Sequence, residues 1–486
     1  MEWNKKSEPV DQDEYQDEEK KPVLTIDTSE TVRLYKRRWL MLAIFSLFSL
    51  SSAYQWIHLG IIGNIIVSYY NSSLPEDRFQ QDTVIDWLSL SYLVCYVPFI
   101  FPAMWLLDKK GLKVNNVVGT VLNAVGAWLK CASLGTDRFA VLMIGQIVCA
   151  VAEVFVVSIP PRLAAVWFGP KEVSTATSIG VFGNQVGVAI GFLLPPLLVP
   201  NSQHLDVVSG GLSVMFYGGA VVCTVILLLM LIVYQKEPPL PPSRAQKLAK
   251  QVLVQNNYLM SLKRLVSNPG FVLIAISYGI NTGAFYAISI LLNPMVLFYF
   301  QGEEQSVGLI GLTIVLTGIC GAVVAGIWLD RTRTYKSTST AIYFLAWAGM
   351  LAFTVILYFN LGHIWLVFLT AGFLGFFMTG YLPVGYEFAS EITYPESEGT
   401  SSGILTASAM FFGIVLTLGM RAMMNGVSIL AANTFLTIAL FVGGVMTALV
   451  KPDYRRQEAE KEIINHLDHI GFTVIPDESV ENPPLK

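Results

Sequence analysis

Glu153 stands in the apolar run Val151-Ala152-Glu153-Val154-Phe155, about 21 Å along a helix that begins near Ala140. If that run crosses a bilayer, an uncompensated carboxylate at such depth costs ~2.5 kcal/mol or more, so it must face a cavity, meet a counter-charge or hold a proton. Every Lys and Arg falls near the end of an apolar run or between runs, and no basic partner is expected at its level. A cationic ligand or a bound proton would neutralise the acid; the plainer alternative is a protonated Glu153 bonded to a neighbouring helix. Trp56 and Tyr286 lie 18 and 17 residues into their own apolar runs. Their ring faces can attract a quaternary ammonium by ~0.5–2 kcal/mol per contact, although aromatic residues in such runs more often pack or anchor at interfaces. Phe285 points about 100° away from Tyr286 around a helix and either gates or packs. Gln185 follows Asn184 between Gly183 and Gly187; amides there bond a ligand hydroxyl or an adjacent helix, and the glycines permit close approach. Met410 is soft and adaptable, suited to lining or to packing. His58 is the one histidine inside a run, and a local hydrogen bond is its simplest role. The pattern holds no catalytic constellation, no GxxxxGK[ST] nucleotide loop, and no disulfide or CxxC metal framework among the five cysteines. Neither an enzyme nor a cofactor or metal protein is expected.

The elements that must carry these residues are membrane spans. The chain has 486 residues, 53% hydrophobic and 14% charged, with mean hydropathy +0.56, whereas a soluble domain usually carries about a quarter charged residues. The net charge of −4 argues against a nucleic-acid partner. A bilayer core needs roughly 20 apolar residues per helix, which predicts twelve spans at 39–68, 85–107, 112–134, 139–161, 173–199, 210–234, 270–299, 307–329, 339–359, 363–388, 399–425 and 428–450. No signal peptide precedes the first run, so the N-terminus is expected in the cytosol. With that orientation 27 of the 31 Lys and Arg are cytosolic, the others being Arg78, Lys130, Arg138 and Arg421, and the positive-inside rule is strongly obeyed. Asn71-Ser72-Ser73 then forms an external glycosylation sequon.

The expected organisation is an all-α integral membrane protein: a disordered cytosolic tail (1–38), a six-helix bundle (39–234), a basic cytosolic linker (235–269), a second six-helix bundle (270–450) and a cytosolic tail (451–486). The halves echo each other. Asp108 after span 2 and Asp330 after span 8 are 222 residues apart, and the same offset relates Pro161 to Pro383. Internal six-span repeats mark two-bundle transporters with a site at the midplane. Asp108 and Asp330 read as gating residues of the cytosolic turns. Opposite charges near spans 4 and 10, Arg162 and Lys171 against Glu387, Glu391, Glu396 and Glu398, suggest an ion-pair gate between bundles.

The turn Asp108-Lys-Lys-Gly-Leu-Lys113 resembles the cytosolic signature of the major facilitator superfamily, with Met104 where glycine is usual. Longer strings are more specific: Tyr54-Gln55-Trp56-Ile57, Ile85-Asp86-Trp87-Leu88-Ser89, Trp167-Phe168-Gly169-Pro170-Lys171-Glu172, Gly183-Asn184-Gln185, Gly283-Ala284-Phe285-Tyr286 and Glu391-Ile392-Thr393-Tyr394-Pro395. Together they resemble the feline leukaemia virus subgroup C receptor-related (FLVCR) family from about Arg37 to Arg456. The resemblance implies a major facilitator fold and a plasma-membrane transporter of choline and ethanolamine, with haem as the alternative cargo and a non-transporting receptor or scaffold as a further one. It also implies an aromatic cage, whose helix 1 tryptophan falls on Trp56 and whose helix 7 aromatic pair falls on Phe285 and Tyr286. Two positions depart from the pattern: Glu153 and Met410 stand where the family has glutamines. The expected substrate-binding set is therefore Trp56, Glu153, Gln185, Phe285, Tyr286 and Met410.

Overall fold

The computed structural model describes residues 34–169, 172–240, 258–359, 363–394, 396 and 398–455; the side chains of Asp108 and Asp330 lie outside that description. The chain is helical throughout the described residues. Eleven helical segments are long and apolar enough to cross a membrane. They are α1 with α2 (Arg37–Ile57, Gly63–Tyr69), α3 (Arg78–Lys110), α5 (Phe139–Val157), α7 (Val173–Leu198), α8 (Leu205–Ile232), α10 (Pro269–Leu297), α11 (Glu304–Thr332), α12 (Tyr335–Phe359), α13 (Ile364–Thr393), α14 (Glu398–Gly426) and α15 (Ile429–Leu449). The twelfth long helix, α4 (Leu112–Ala132), is less apolar because it carries Asn115, Asn116, Asn123 and Lys130, all buried among its neighbours. Asn115 donates to the Phe155 carbonyl (3.2 Å) and Asn123 to Ser51 Oγ (3.1 Å), so the polar face of α4 is spent on helix packing. Many large apolar side chains instead point outward, Ile232, Leu369 and Phe101 among them. That surface suits lipid and would aggregate in water.

Local signals set the helix ends. Asp77 caps α3 by accepting from the Gln80 amide, and the helix stops at Gly111, whose φ of 82° favours glycine. Asn268 caps α10 ahead of Pro269, and Ser428 caps α15. Asp108 and Asp330 fall at the same end of α3 and α11, in keeping with their repeat offset. The Pro161 and Pro383 pair behaves differently. Span 4 is interrupted at Ser158 and Ile159 and resumes as α6 (Pro160–Trp167), with two prolines in its first turn, whereas α13 runs on through Pro383. Pro160 and Pro161 occupy the first turn of the new segment, where a missing N–H goes unused, whereas Pro383 is tolerated inside a packed membrane helix. Span 1, predicted as one helix over 39–68, is likewise broken between Ile57 and Gly63 by a short 3-10 turn.

The two predicted tails lie almost wholly outside the described residues, as does 241–257 of the linker. The linker's last part forms α9 (Tyr258–Val266), tied down by Arg264 to Glu396 at 2.8 Å. For orientation, the end bearing Arg37, Lys109 and Lys110 is called the basic face, and the other the Asn71 face.

Candidate functional site

Both helix breaks fall beside predicted site residues. Trp56 is the penultimate residue of α1, and Glu153 precedes the end of α5 by one turn. The break in span 1 frees the carbonyls of Gln55 and Trp56, which take donors from other helices: Gln146 Nε2 reaches Gln55 O (2.9 Å) and Trp56 O (3.5 Å), and Ser89 Oγ reaches Trp56 O (3.3 Å). The Trp56 indole donates in turn to the Ser89 carbonyl at 3.2 Å. α1 and α3 thus fix the ring against rotation. Its position relative to α7 is set by glycines: a Cβ at Gly183 would lie 2.8 Å from the Ser46 carbonyl, and one at Gly187 would strike the Leu50 carbonyl. The backbones of α1 and α7 therefore touch.

Across from Trp56 stands Tyr286 of α10. Their rings meet edge to face, with centroids 5.6 Å apart and planes at 86°. Phe285 is buried with its ring 6.0 Å from that of Tyr286. Tyr286 also packs on Gly413 of α14, one turn beyond buried Met410. Glu153 is half-buried while Ala152 and Val154 on either side are fully buried, so it borders an internal space. Its Oε1 accepts from Asn184 Nδ2 at 3.1 Å, and its Oε2 is buried with no hydrogen-bond partner. Ser52 approaches the same carboxyl, and Tyr92 and Tyr286 lie within electrostatic reach of it. Gln185 is half-buried, and its Oε1 also lacks a donor. Toward the basic face, Tyr96 bonds Ser158 in the span 4 break (3.1 Å) and Tyr386 bonds Thr406 (3.0 Å). The structure thus brings Trp56, Glu153, Phe285 and Tyr286 into one cluster between the two halves of the chain, with Gln185 and Met410 on adjoining turns.

At the Asn71 face the halves are joined by polar contacts. Arg421 of α14 grips Asp86 of α3 through two bonds of 2.5 and 2.7 Å, with Asp82 at 3.7 Å. Glu304 accepts from Asn64 (3.3 Å) and Asn201 (2.7 Å), and Asn293 donates to the Ile61 carbonyl (2.7 Å).

The sequence compares with known proteins as follows. The model for the Major Facilitator Superfamily matches residues 40–346. The choline/ethanolamine transporter flvcr2a of Danio rerio is 48% identical over 446 residues, covering 92% of this chain and 93% of that protein. The choline/ethanolamine transporter FLVCR1 of Felis catus is 49% identical over 434 residues, 89% of this chain and 76% of that protein. The chain belongs to the FLVCR family of the major facilitator superfamily. Among solved structures, this FLVCR-family fold resembles an inward-facing bacterial homologue of the human lysosomal transporter Spinster, with a TM-score of 0.67 at 13% identity over 87% of this chain and 99% of that one.

Several expectations for the family member need revision. Lys130, expected on the outer side near the end of its span, is 1% exposed and donates to Gln55 Oε1 at 2.6 Å. A basic group is therefore buried in the first half of the FLVCR-family chain, but it serves a carboxamide and not Glu153. Near the basic face Arg38 pairs with Glu172 (3.0 Å) and Arg264 of the linker with Glu396, and at the other end Asp86 pairs with Arg421 across the two halves. Lys171 and the side chains of Glu398, Asp108 and Asp330 lie outside the described residues. Cys320 is exposed on the apolar surface. Asn184, the amide that holds Glu153, stands outside the expected substrate-binding set that includes its neighbour Gln185, and only helix rotation distinguishes the two. His58 is buried between Tyr54 and Phe216, with Nδ1 3.0 Å from the Gln55 carbonyl, the local bond expected of it.

Proposed function

We propose that this membrane transporter carries choline and ethanolamine by alternating access, with the ammonium held between Trp56 and Tyr286 and balanced by Glu153. The single observation that carries this reading is the edge-to-face pair of Trp56 and Tyr286, one ring from each half, beside a carboxylate with no basic side chain against it. Phe285 and Met410 back the cage, and the free Oε1 of Gln185 offers an acceptor for the hydroxyl that both cations share. The contacts at the Asn71 face form the outer gate, closed here; Asp108 and Asp330 act at the opposite gate. Six-helix bundles at 39–234 and 270–450, joined by the linker 235–269, rock about the site. Both termini lie in the cytosol and the protein resides in the plasma membrane, with the Asn71 sequon outside. In that orientation the membrane potential favours entry of one positive charge by ~2.3 kcal/mol per 100 mV. Haem gains no support, since His58 is occupied inside the first half and offers no axial ligand to the cluster.

Uptake of labelled choline by cells expressing wild type, Trp56→Ala and Tyr286→Ala tests the site. Each contact with a ring face is worth ~0.5–2 kcal/mol, so either variant should lower kcat/KM about threefold to thirtyfold at equal surface expression. Uptake unchanged in both variants would move the site elsewhere.

A further inference from the structure

Glu153 has an oxygen that the protein leaves without a donor. Oε1 takes the Asn184 amide, whereas Oε2 is buried and accepts nothing. Ser52 approaches the carboxyl from α1 and Asn184 from α7, with Tyr92 of α3 and Tyr286 of α10 within electrostatic reach. Ser52 Oγ lies near the carboxyl without an aligned hydrogen bond to it, and Tyr92 OH lies near Cys149. The nearest buried cation, Lys130, lies beside Cys149, one turn earlier on α5, and points its ammonium at Gln55.

A buried carboxylate oxygen in this state is stabilised most by a charged N–H donor. The two cations of the proposed cargo differ in this respect. A trimethylammonium has no N–H and keeps its charge behind methyl groups; a primary ammonium has three donors and can approach to hydrogen-bond distance. The ring faces of Trp56 and Tyr286 accept either cation. Only the acid distinguishes them.

We propose that Glu153 makes the site selective for primary ammonium cations of the ethanolamine type over quaternary ones, through an N–H bond to its free Oε2. The selectivity rests on the transport reading given above. A site built around an unpaired polar group rejects ligands that cannot pair with it far more strongly than an apolar pocket rejects an extra methyl.

The experiment is initial-rate uptake, by wild type, of ethanolamine and its mono-, di- and trimethylated forms, the last being choline. The expected result is a stepwise fall in kcat/KM as N–H groups are lost, reaching about tenfold or more across the series, and flattening of that series in Glu153→Gln. A flat or reversed series with wild-type transport intact overturns the selectivity while leaving the transport reading in place. Failure to carry any member overturns the transport reading itself. If Glu153→Gln does not reach the surface, the wild-type series decides alone, since it needs no variant.

Discussion

Asn184 and Gln185 are consecutive residues with the same functional group and different surroundings. Asn184 holds Glu153 Oε1, and its loss removes a hydrogen bond to a charged group, a contact worth about 1.5–3 kcal/mol. Asn184→Ala should therefore raise the KM for ethanolamine by roughly ten- to a hundredfold, measurable in the same uptake assay. Gln185→Ala should act through the substrate hydroxyl: wild type is expected to prefer ethanolamine to ethylamine, and the variant to lose that preference. Equal preference in the two proteins would remove Gln185 from the site. Glu153, Trp56 and Tyr286 were legible because an acid deep in an apolar run and aromatic residues at mid-span stand out by type. Asn184 was not, because the rotation of α7 is set by Gly183 and Gly187 lying on the α1 backbone.

At the level of helices, that contact is a sensitive point. A side chain at Gly187 would meet the Leu50 carbonyl, a backbone atom that cannot move aside without displacing α1. Gly187→Leu should cost about 1–3 kcal/mol or more in packing, seen as a lower melting temperature of the purified protein, and should displace Trp56 enough to reduce uptake. Gly218 has open space at its Cβ, so Gly218→Ala is the matched control and should leave both measurements unchanged. The break in span 4 had a visible cause in Pro160 and Pro161. The break in span 1 had none: no proline lies between Ile57 and Gly63, and the opened turn survives because Gln146 and Ser89, from α5 and α3, bond the freed carbonyls. Local sequence cannot report donors that arrive from other helices.

For the whole molecule, the Asp86 and Arg421 pair is a buried ionic tie between the halves, with side chains only 3% and 6% exposed. Removing one partner strands a buried charge, at a cost of about 3–5 kcal/mol, whereas removing both spares that penalty. Arg421→Ala should thus destabilise the closed Asn71 face and increase labelling of an introduced Ile65→Cys by an impermeant thiol reagent, while the double variant Asp86→Ala/Arg421→Ala should be more stable than either single one. Labelling unaffected by Arg421→Ala would mean that other contacts hold this face. Composition and the spacing of apolar runs determined by themselves that the chain is a helical, multi-span membrane protein, because a bilayer imposes span length and apolarity on each segment separately. Which amide faces Glu153, where α1 opens, that Lys130 turns inward and that Arg421 reaches Asp86 were decided only by the tertiary structure. Each depends on the rotation and depth of one helix against another, and burial leaves a polar group no stable alternative to the partner it meets there.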